Sequence, residues 1–407
     1  MTESPRNVSE RLVVFLIGAV QFVNILDFVM VMPLGPDFAK ALSIDAAHLG
    51  YIGGAYTAAA SVSGLAGSFF LDRFDRRKAL GVAMIGLVAG TAAGGLATGL
   101  RGLLAARVLA GLFGGPATSL SFSIIADVIP PERRGKAMGA VMGAFSFASV
   151  VGVPVGLELA RVGGWRAPFL GVATIGLLVS VAVIYFLPPM TLHLSGKSSK
   201  DPMPTFGELF ARPVVILSYL MTATVMMAGF ILIPNISTYV QGNLHFPRNK
   251  LGTLYLAGGI VSFFATRAGG YLVDKLGSFR TAMMGTLVLL CVQYFWFVNY
   301  PAGAPMIAFF MGFMLAMGLR NVSYNTLTSK VPSPRQRARF MSIQSSVQHF
   351  AAATGAFVSA RMLRELPDHS LAGVPRVAMV AIGLSACVPI LIYLVERAVA
   401  QRTPKAS

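Results

Sequence analysis

Charge is what this chain has least of. Only 12 % of its 407 residues are Asp, Glu, Lys or Arg, about half the share usual in a soluble protein. So small a stock of charge cannot clothe a soluble fold of this length. Acidic residues are the scarcer kind, 16 against 33 Lys+Arg. Cysteine is nearly absent, and Cys291 and Cys387 both sit in apolar stretches, which argues against a disulfide framework or a zinc site. No metal-ligand cluster appears, so no metal is expected. Gly196-Lys197-Ser198 looks like the end of a phosphate-binding loop, but Thr191 stands where the first Gly is required, so ATP use is not expected. No loop is long enough to be a soluble domain.

Apolar runs fill the chain instead. Twelve are long enough to span a membrane as helices, at about 12–33, 48–71, 79–99, 102–126, 137–160, 166–188, 214–240, 251–273, 279–299, 303–327, 340–363 and 376–396. The first follows Arg6, Glu10 and Arg11, is too long for a signal-peptide core and meets no small-residue cleavage site, so it is expected to remain as a membrane helix. The longest connection, 189–213, is polar and carries Lys197, Lys200 and Asp201. The expected layout is therefore an N-terminal six-helix bundle at 1–188, a linker at 189–213 and a C-terminal six-helix bundle at 214–407. An even number of spans puts both ends on one side. About 21 of the 33 Lys+Arg fall on that side, which makes it cytoplasmic by the positive-inside rule, with both termini and the linker inside. The basic surplus, which in a soluble chain would suggest nucleic acid, is thus a topology signal, and no nucleic-acid partner is expected.

The halves repeat. Asp72 and Asp274 close the second and eighth segments, 202 residues apart. After the fourth segment stands Pro131-Glu-Arg-Arg134-Gly-Lys136-Ala-Met138, and after the tenth Pro334-Arg-Gln-Arg337-Ala-Arg339-Phe-Met341, 203 apart. Duplicated halves with matched loops suggest a transporter built around a central path. The expected fold is an all-α polytopic membrane protein, twelve helices in two pseudo-symmetric bundles around a central cavity.

These residues resemble the major facilitator superfamily. Asp72-Arg-Phe-Asp-Arg-Arg-Lys78 is similar to its signature loop, Gly-x-Leu-x-Asp-Arg-x-Gly-Arg-Arg, with Ser68 for the first Gly and Asp75 for the second. The second copy, Gly270-Tyr-Leu-Val-Asp274-Lys-Leu-Gly277-Ser-Phe-Arg280, matches better. Arg107-Val-Leu-Ala-Gly111 resembles the Arg-x-x-x-Gly of the proton-coupled branches. Gly152-Val-Pro154-Val-Gly156, followed by Gly164-Trp165-Arg166, resembles the twelve-helix drug:proton antiporters and sugar-efflux permeases. The resemblance implies that Asp72, Arg73, Arg76, Arg77, Gly152, Pro154, Gly156, Gly270, Asp274, Gly277 and Arg280 belong to the conformational switch. It also implies that an acidic residue of the first helix and the Arg of the fourth take part in proton coupling.

Ionisable groups inside a membrane are costly, and each is a functional candidate. Asp27 lies deep in the first segment and shares a face with Gln21 and Asn24, spaced i, i+3, i+6. Arg107 lies at similar depth in the fourth, so the two are expected to pair, either as a packing lock or as a proton switch. Beside Arg107 the carboxylate stays charged; without it, desolvation favours the protonated form. Glu158 is either a second protonation site or an interfacial partner of Arg161. Asp127 is expected to meet the basic loop, and Arg267 and Arg320 to pair or snorkel near helix ends. Gln344, Ser345, Gln348 and His349 form a polar stripe on the eleventh segment, suited to binding cargo or to bonding a neighbouring helix. With Gln21, Asn24, Asn235, Thr238, Tyr239, Asn321, Tyr324 and Asn325 they would give a cavity of sparse polar groups among Met and Phe, which suits bulky amphipathic cargo. Gly111-x-x-x-Gly115 marks a close helix contact within the bundle.

The leading expectation is proton-coupled efflux of small amphipathic compounds, drug or sugar-like, by alternating access. The alternative is a facilitator or importer of a specific metabolite or lipid. A membrane-embedded sensor or enzyme is disfavoured by the lack of soluble domains and catalytic clusters. The expected setting is a monomer in a bacterial inner membrane. Its partners are the lipid bilayer, a small-molecule substrate and protons; no cofactor is expected and the proton gradient is the energy source.

Overall fold

The computed structural model describes residues 9–191, 206–332 and 337–401. Arg6, Lys197, Lys200, Pro334, Arg335 and most of the central linker lie outside these, as do the side chains of Asp72, Arg134, Lys136 and Arg337. Twelve long helical stretches run through the described residues. The first six are α1 (Glu10–Val31), α2 (Leu49–Phe70), α3 (Arg76–Gly95), α4 (Leu100–Val128), α5 (Pro131–Phe147, continuing through Ala148–Gly152 into Val153–Gly163) and α6 (Arg166–Phe186). The second six are α7 (Pro213–Phe230, resuming as Ile236–Gly242), α8 (Leu251–Leu276), α9 (Ser278–Gln293, continuing through Tyr294–Val298), α10 (Met306–Ser329), α11 (Arg337–Met362) and α12 (Val374–Ala400).

Ten of these are both long and apolar enough to cross a membrane. The other two, α2 and α11, are as long, with 22 and 26 residues, but richer in small and polar side chains. Helix is what such runs require, because in hydrocarbon each backbone N–H and C=O must be satisfied within its own segment. The outer faces are apolar: Phe15, Tyr185, Phe264 and Phe350 are each more than half exposed. Three charged side chains of the helices, Asp27, Arg107 and Arg320, are buried. The chain is an all-α polytopic membrane protein, its sole β pairing among the described residues being Arg364–Glu365 with Leu371–Ala372.

Breaks in the helices have local causes. Pro154 cannot donate to the ladder, and α5 widens into a π turn at Ala148–Gly152 just before it. Pro234 sits in the short 3-10 turn Ile233–Asn235 that divides α7. Gly277 joins α8 to α9 at φ +88°, a conformation that a side chain strains.

Contacts divide the chain into two units. The first holds Met1–Ile44 and Ala55–Pro202; the second holds Asp45–Gly54 and Met203–Ser407. Within the first, α1 packs on α5 and α6, and α3 on α4 and α6. Within the second, α7 packs on α11 and α12, and α9 on α10 and α12. Each pair maps onto its counterpart six helices later, so the repeat seen in the loops is a repeat in packing.

Candidate functional site

In the first unit the ionisable pair is formed. Arg107 Nη2 donates to both carboxylate oxygens of Asp27, at 2.9 and 3.0 Å, and Nη1 to the Asp27 carbonyl at 3.2 Å. Both side chains are out of solvent, at 1 % and 0 % exposure. Thr91 of α3 adds a third contact, its hydroxyl 2.7 Å from Asp27 Oδ1. Tyr56 and Phe169 flank the guanidinium, their ring centroids 5.5 and 5.9 Å from Cζ, near enough for cation–π attraction. Next on the α1 face, Asn24 donates to the Gly114 carbonyl and to Thr118, and accepts from Tyr56. Gln21 is buried beyond it with its Nε2 unpartnered. Gly111 and Gly115 seat α4 on α2, where a Cβ on either would run into the carbonyl of Tyr56 or Ala60.

Thr91, Tyr56 and Thr118 escape a search for charge, because a hydroxyl in an apolar run gives no sign of its partner. Glu158 stands apart from this network. It is exposed on α5 and paired with Arg161 three residues on, through contacts of 2.5 to 3.0 Å.

The signature loops act on helix ends. Asp75, standing where the family has glycine, is the N-cap of α3: its Oδ1 accepts from Arg77 N at 2.9 Å and from Met190 N at 3.0 Å. Aspartate is among the best residues for that position. Arg77 donates to the Leu187 carbonyl, and Arg76 meets Asp127 at 3.1 Å, so Asp127 does face the basic loop. Arg73 is exposed. In the second unit the α9 N-terminus is served from α12, where Glu396 accepts from Ser278 N at 2.7 Å and from Phe279 N. Asp274 and Arg280 are exposed. Gly152 faces Leu26, Gly156 and Pro154 lie beside it on α5, and a Cβ on Gly270 would meet nothing within 4 Å.

The second unit gathers most of the remaining polar candidates. Gln344 of α11 donates to Thr222 of α7. Gln348 donates to the Tyr324 hydroxyl of α10 at 3.2 Å, and Asn325 to the Asn321 carbonyl. His349 is half-buried on the same stripe. Beyond the α7 bend, Asn235 donates to Ser359 and Tyr239 to the Trp296 carbonyl, while the Thr238 hydroxyl is buried without a partner. Arg320 departs from expectation. It neither pairs with a carboxylate nor snorkels: it is fully buried, held by neutral groups of α7 and α12. Its side chain turns into the bundle, where Ser385 and the Val225 carbonyl accept from it. Arg267 is exposed and lies over the Phe263 ring, 4.6 Å from its centroid.

A helical membrane protein of duplicated six-helix units, with a buried ion pair in one of them, is the architecture of a secondary transporter. The sequence model of the Major Facilitator Superfamily matches residues 17–356, and the chain belongs to that family. It is 23 % identical over 365 residues to the Bacillus subtilis (strain 168) MFS-type transporter YceJ, covering 84 % of this chain and 92 % of the relative. It is 25 % identical over 261 residues to the Escherichia coli (strain K12) inner membrane transport protein YdhP, covering 64 % and 65 %. Among solved structures it is similar to a bacterial homolog of the human lysosomal transporter Spinster in an inward-facing, unoccupied conformation. The TM-score is 0.74 at 17 % identity, over 98 % of this chain and 100 % of that one. It is also similar to a D-xylose-proton symporter, with TM-score 0.73 at 18 % identity over 94 % and 96 %. The protein is an integral membrane transporter of this superfamily.

Proposed function

We propose that the chain is a proton-coupled exporter of small amphipathic compounds, drug or sugar-like, working by alternating access. The observation that carries this reading is the buried Asp27–Arg107 pair. In place, the carboxylate is met directly by the guanidinium and by the Thr91 hydroxyl. Separated from Arg107 in a dry interior, an ionised carboxylate is costly and proton uptake relieves it. A step that parts the pair therefore takes up a proton, and a step that restores it releases one. Protons so exchanged drive cargo in the opposite direction. Glu158, exposed and paired on its own helix, leaves the role to Asp27 and Arg107.

The setting that fits is a bacterial inner membrane with both termini cytoplasmic, which the basic loops and the E. coli inner-membrane relative support. No cofactor enters the cycle. The test is transport in proteoliposomes under an imposed pH gradient, with a panel of dyes and sugars. The expected result is uphill movement against the proton flux, abolished in Asp27→Asn. Coupling retained in Asp27→Asn overturns the reading, and cargo moving with the proton makes the protein an importer instead.

A further inference from the structure

Arg320 lies 14 residues from the start of α10, about 21 Å along the helix. Its exposure is 0 %. Its Nη1 reaches Ser385 Oγ of α12 at 3.4 Å; its Nη2 reaches the Val225 carbonyl of α7 at 3.5 Å and Met317 Sδ at 3.1 Å; its Nε has no partner. All are neutral acceptors, and the two oxygens stand at the long edge of hydrogen-bonding distance.

No carboxylate of this half is placed to neutralise it. The acidic residues after 203 are Glu208, Asp274, Glu365, Asp368 and Glu396. Asp274 is exposed at the end of α8, Glu365 and Asp368 lie between α11 and α12, and Glu208 precedes α7. Glu396 is 11 residues past Ser385 on α12, about 16 Å away along the axis, and is already engaged at the α9 N-terminus. A buried guanidinium without a counter-charge is among the costliest groups a membrane protein can hold.

The groups around it are suited to supplying what is missing. Ser385 accepts from Arg320, which leaves its own proton to donate onward. Tyr324, one turn along α10, accepts from Gln348 and likewise keeps a proton to give. On the neighbouring helices α10 and α11, two amide oxygens, Asn321 Oδ1 and Gln344 Oε1, are buried with no donor. Asn321 and Asn325 are half-buried on the adjoining face of α10. We propose that Arg320 is the recognition residue for a carboxylate on the transported compound, with the Ser385 and Tyr324 hydroxyls as further donors. The oxygens of Asn321 and Gln344 accept from a hydroxyl or amine of the same compound. The cargo is then an amphipathic organic acid bearing a hydrogen-bond donor. This names the substrate class of the exporter proposed above and rests on that reading for the direction of transport.

The experiment is binding to the purified full-length protein, read as thermal stabilisation in detergent with no pH gradient. The probes are matched acids and amides: benzoate with benzamide, salicylate with salicylamide, indole-3-acetate with indole-3-acetamide. At least one acid is expected to stabilise the wild type at concentrations where its amide does not. In Arg320→Gln that preference falls by about tenfold or more, the loss expected when one charge-assisted contact is removed, while Arg320→Lys keeps part of it. Equal shifts from acid and amide, no shift from any acid, or full preference in Arg320→Gln overturns the proposal. Should Arg320→Gln not fold, the wild-type comparison and Arg320→Lys decide. Because no gradient is involved, a failure of proton coupling leaves this result untouched, and the two readings fail separately.

Discussion

The two six-helix units share a packing plan and differ in where they keep charge. In the first, a buried cation is answered by a buried anion: Arg107 and Asp27, steadied by Thr91. Carried forward by the repeat offset of 202–203, Asp27 falls on Gly229 or Phe230 and Arg107 on Phe309 or Phe310, none of them charged. Phe310 is fully buried against Tyr255 and Trp296, with ring centroids 4.9 and 5.9 Å away. The duplicated scaffold thus carries an ion pair in one unit and uncharged residues at the matching positions of the other. The second unit instead carries a buried cation with no buried anion, Arg320, at a different depth. The same helix plan therefore yields one site whose charge is balanced from within and one whose balance must come from outside.

The sharpest break of this comparison is to remove each cation. Arg107→Met leaves Asp27 buried and unpaired, and is expected to cost about 3–5 kcal/mol. The double variant Asp27→Leu/Arg107→Met, which makes the first unit apolar there like the second, should regain most of that loss through a large coupling energy yet show no pH-driven transport. Thermal unfolding in detergent and proteoliposome flux read the two effects. A double variant no more stable than Arg107→Met would mean that the pair's cost and gain lie elsewhere.

Next in size is the glycine contact that seats α4 on α2. A methyl at Gly111 meets the Tyr56 carbonyl, a backbone atom that cannot turn aside, so Gly111→Ala should cost about 1–3 kcal/mol. A methyl at Gly270 of α8 would meet nothing within 4 Å, and Gly270→Ala should be neutral or gain up to about 1 kcal/mol from helix propensity. Equal unfolding midpoints for the two would show that α2 and α4 adjust freely.

Arg320→Met reverses the sign expected at Arg107. No carboxylate is stranded by the change, and an uncompensated charge is removed, so stability without cargo should fall by no more than about 1 kcal/mol or should rise. A loss as large as that of Arg107→Met would point to an anion already held within the unit.

Much of this was legible in the sequence. Apolar runs of about 20 residues gave the helices, and the repeated loops gave the duplication, because both follow from backbone satisfaction and helix length rather than from packing detail. The Asp27–Arg107 pair was legible because charge is so scarce that two buried ions at matched depth leave few alternatives. What was not legible depends on helix rotation. Thr91 looks like any other threonine of an apolar run until α3 turns it toward α1. Arg320, by distance from the helix end, reads as a residue that pairs or snorkels, and only its direction into the bundle and its neutral partners show otherwise. Asp75 reads as a departure from a motif, while in space it is a helix cap.

Glu158 offers the smallest expected effect and the cleanest control on the first unit. It shares α5 with Arg161, one turn away, and both side chains are more than half exposed, at 60 % and 53 %. Exposed pairs contribute little to stability, because the charges remain solvated whether or not they touch. Glu158→Gln should therefore leave the unfolding midpoint nearly unchanged. It should also leave the response of transport to the pH gradient intact, since neither Asp27 nor Arg107 bonds to it. Asp27→Asn, which removes a carboxylate from the same unit, should lose that response entirely. If Glu158→Gln lost it as well, proton coupling would run through two carboxylates of the first unit, and the contrast with the second would rest on a pathway rather than on one pair.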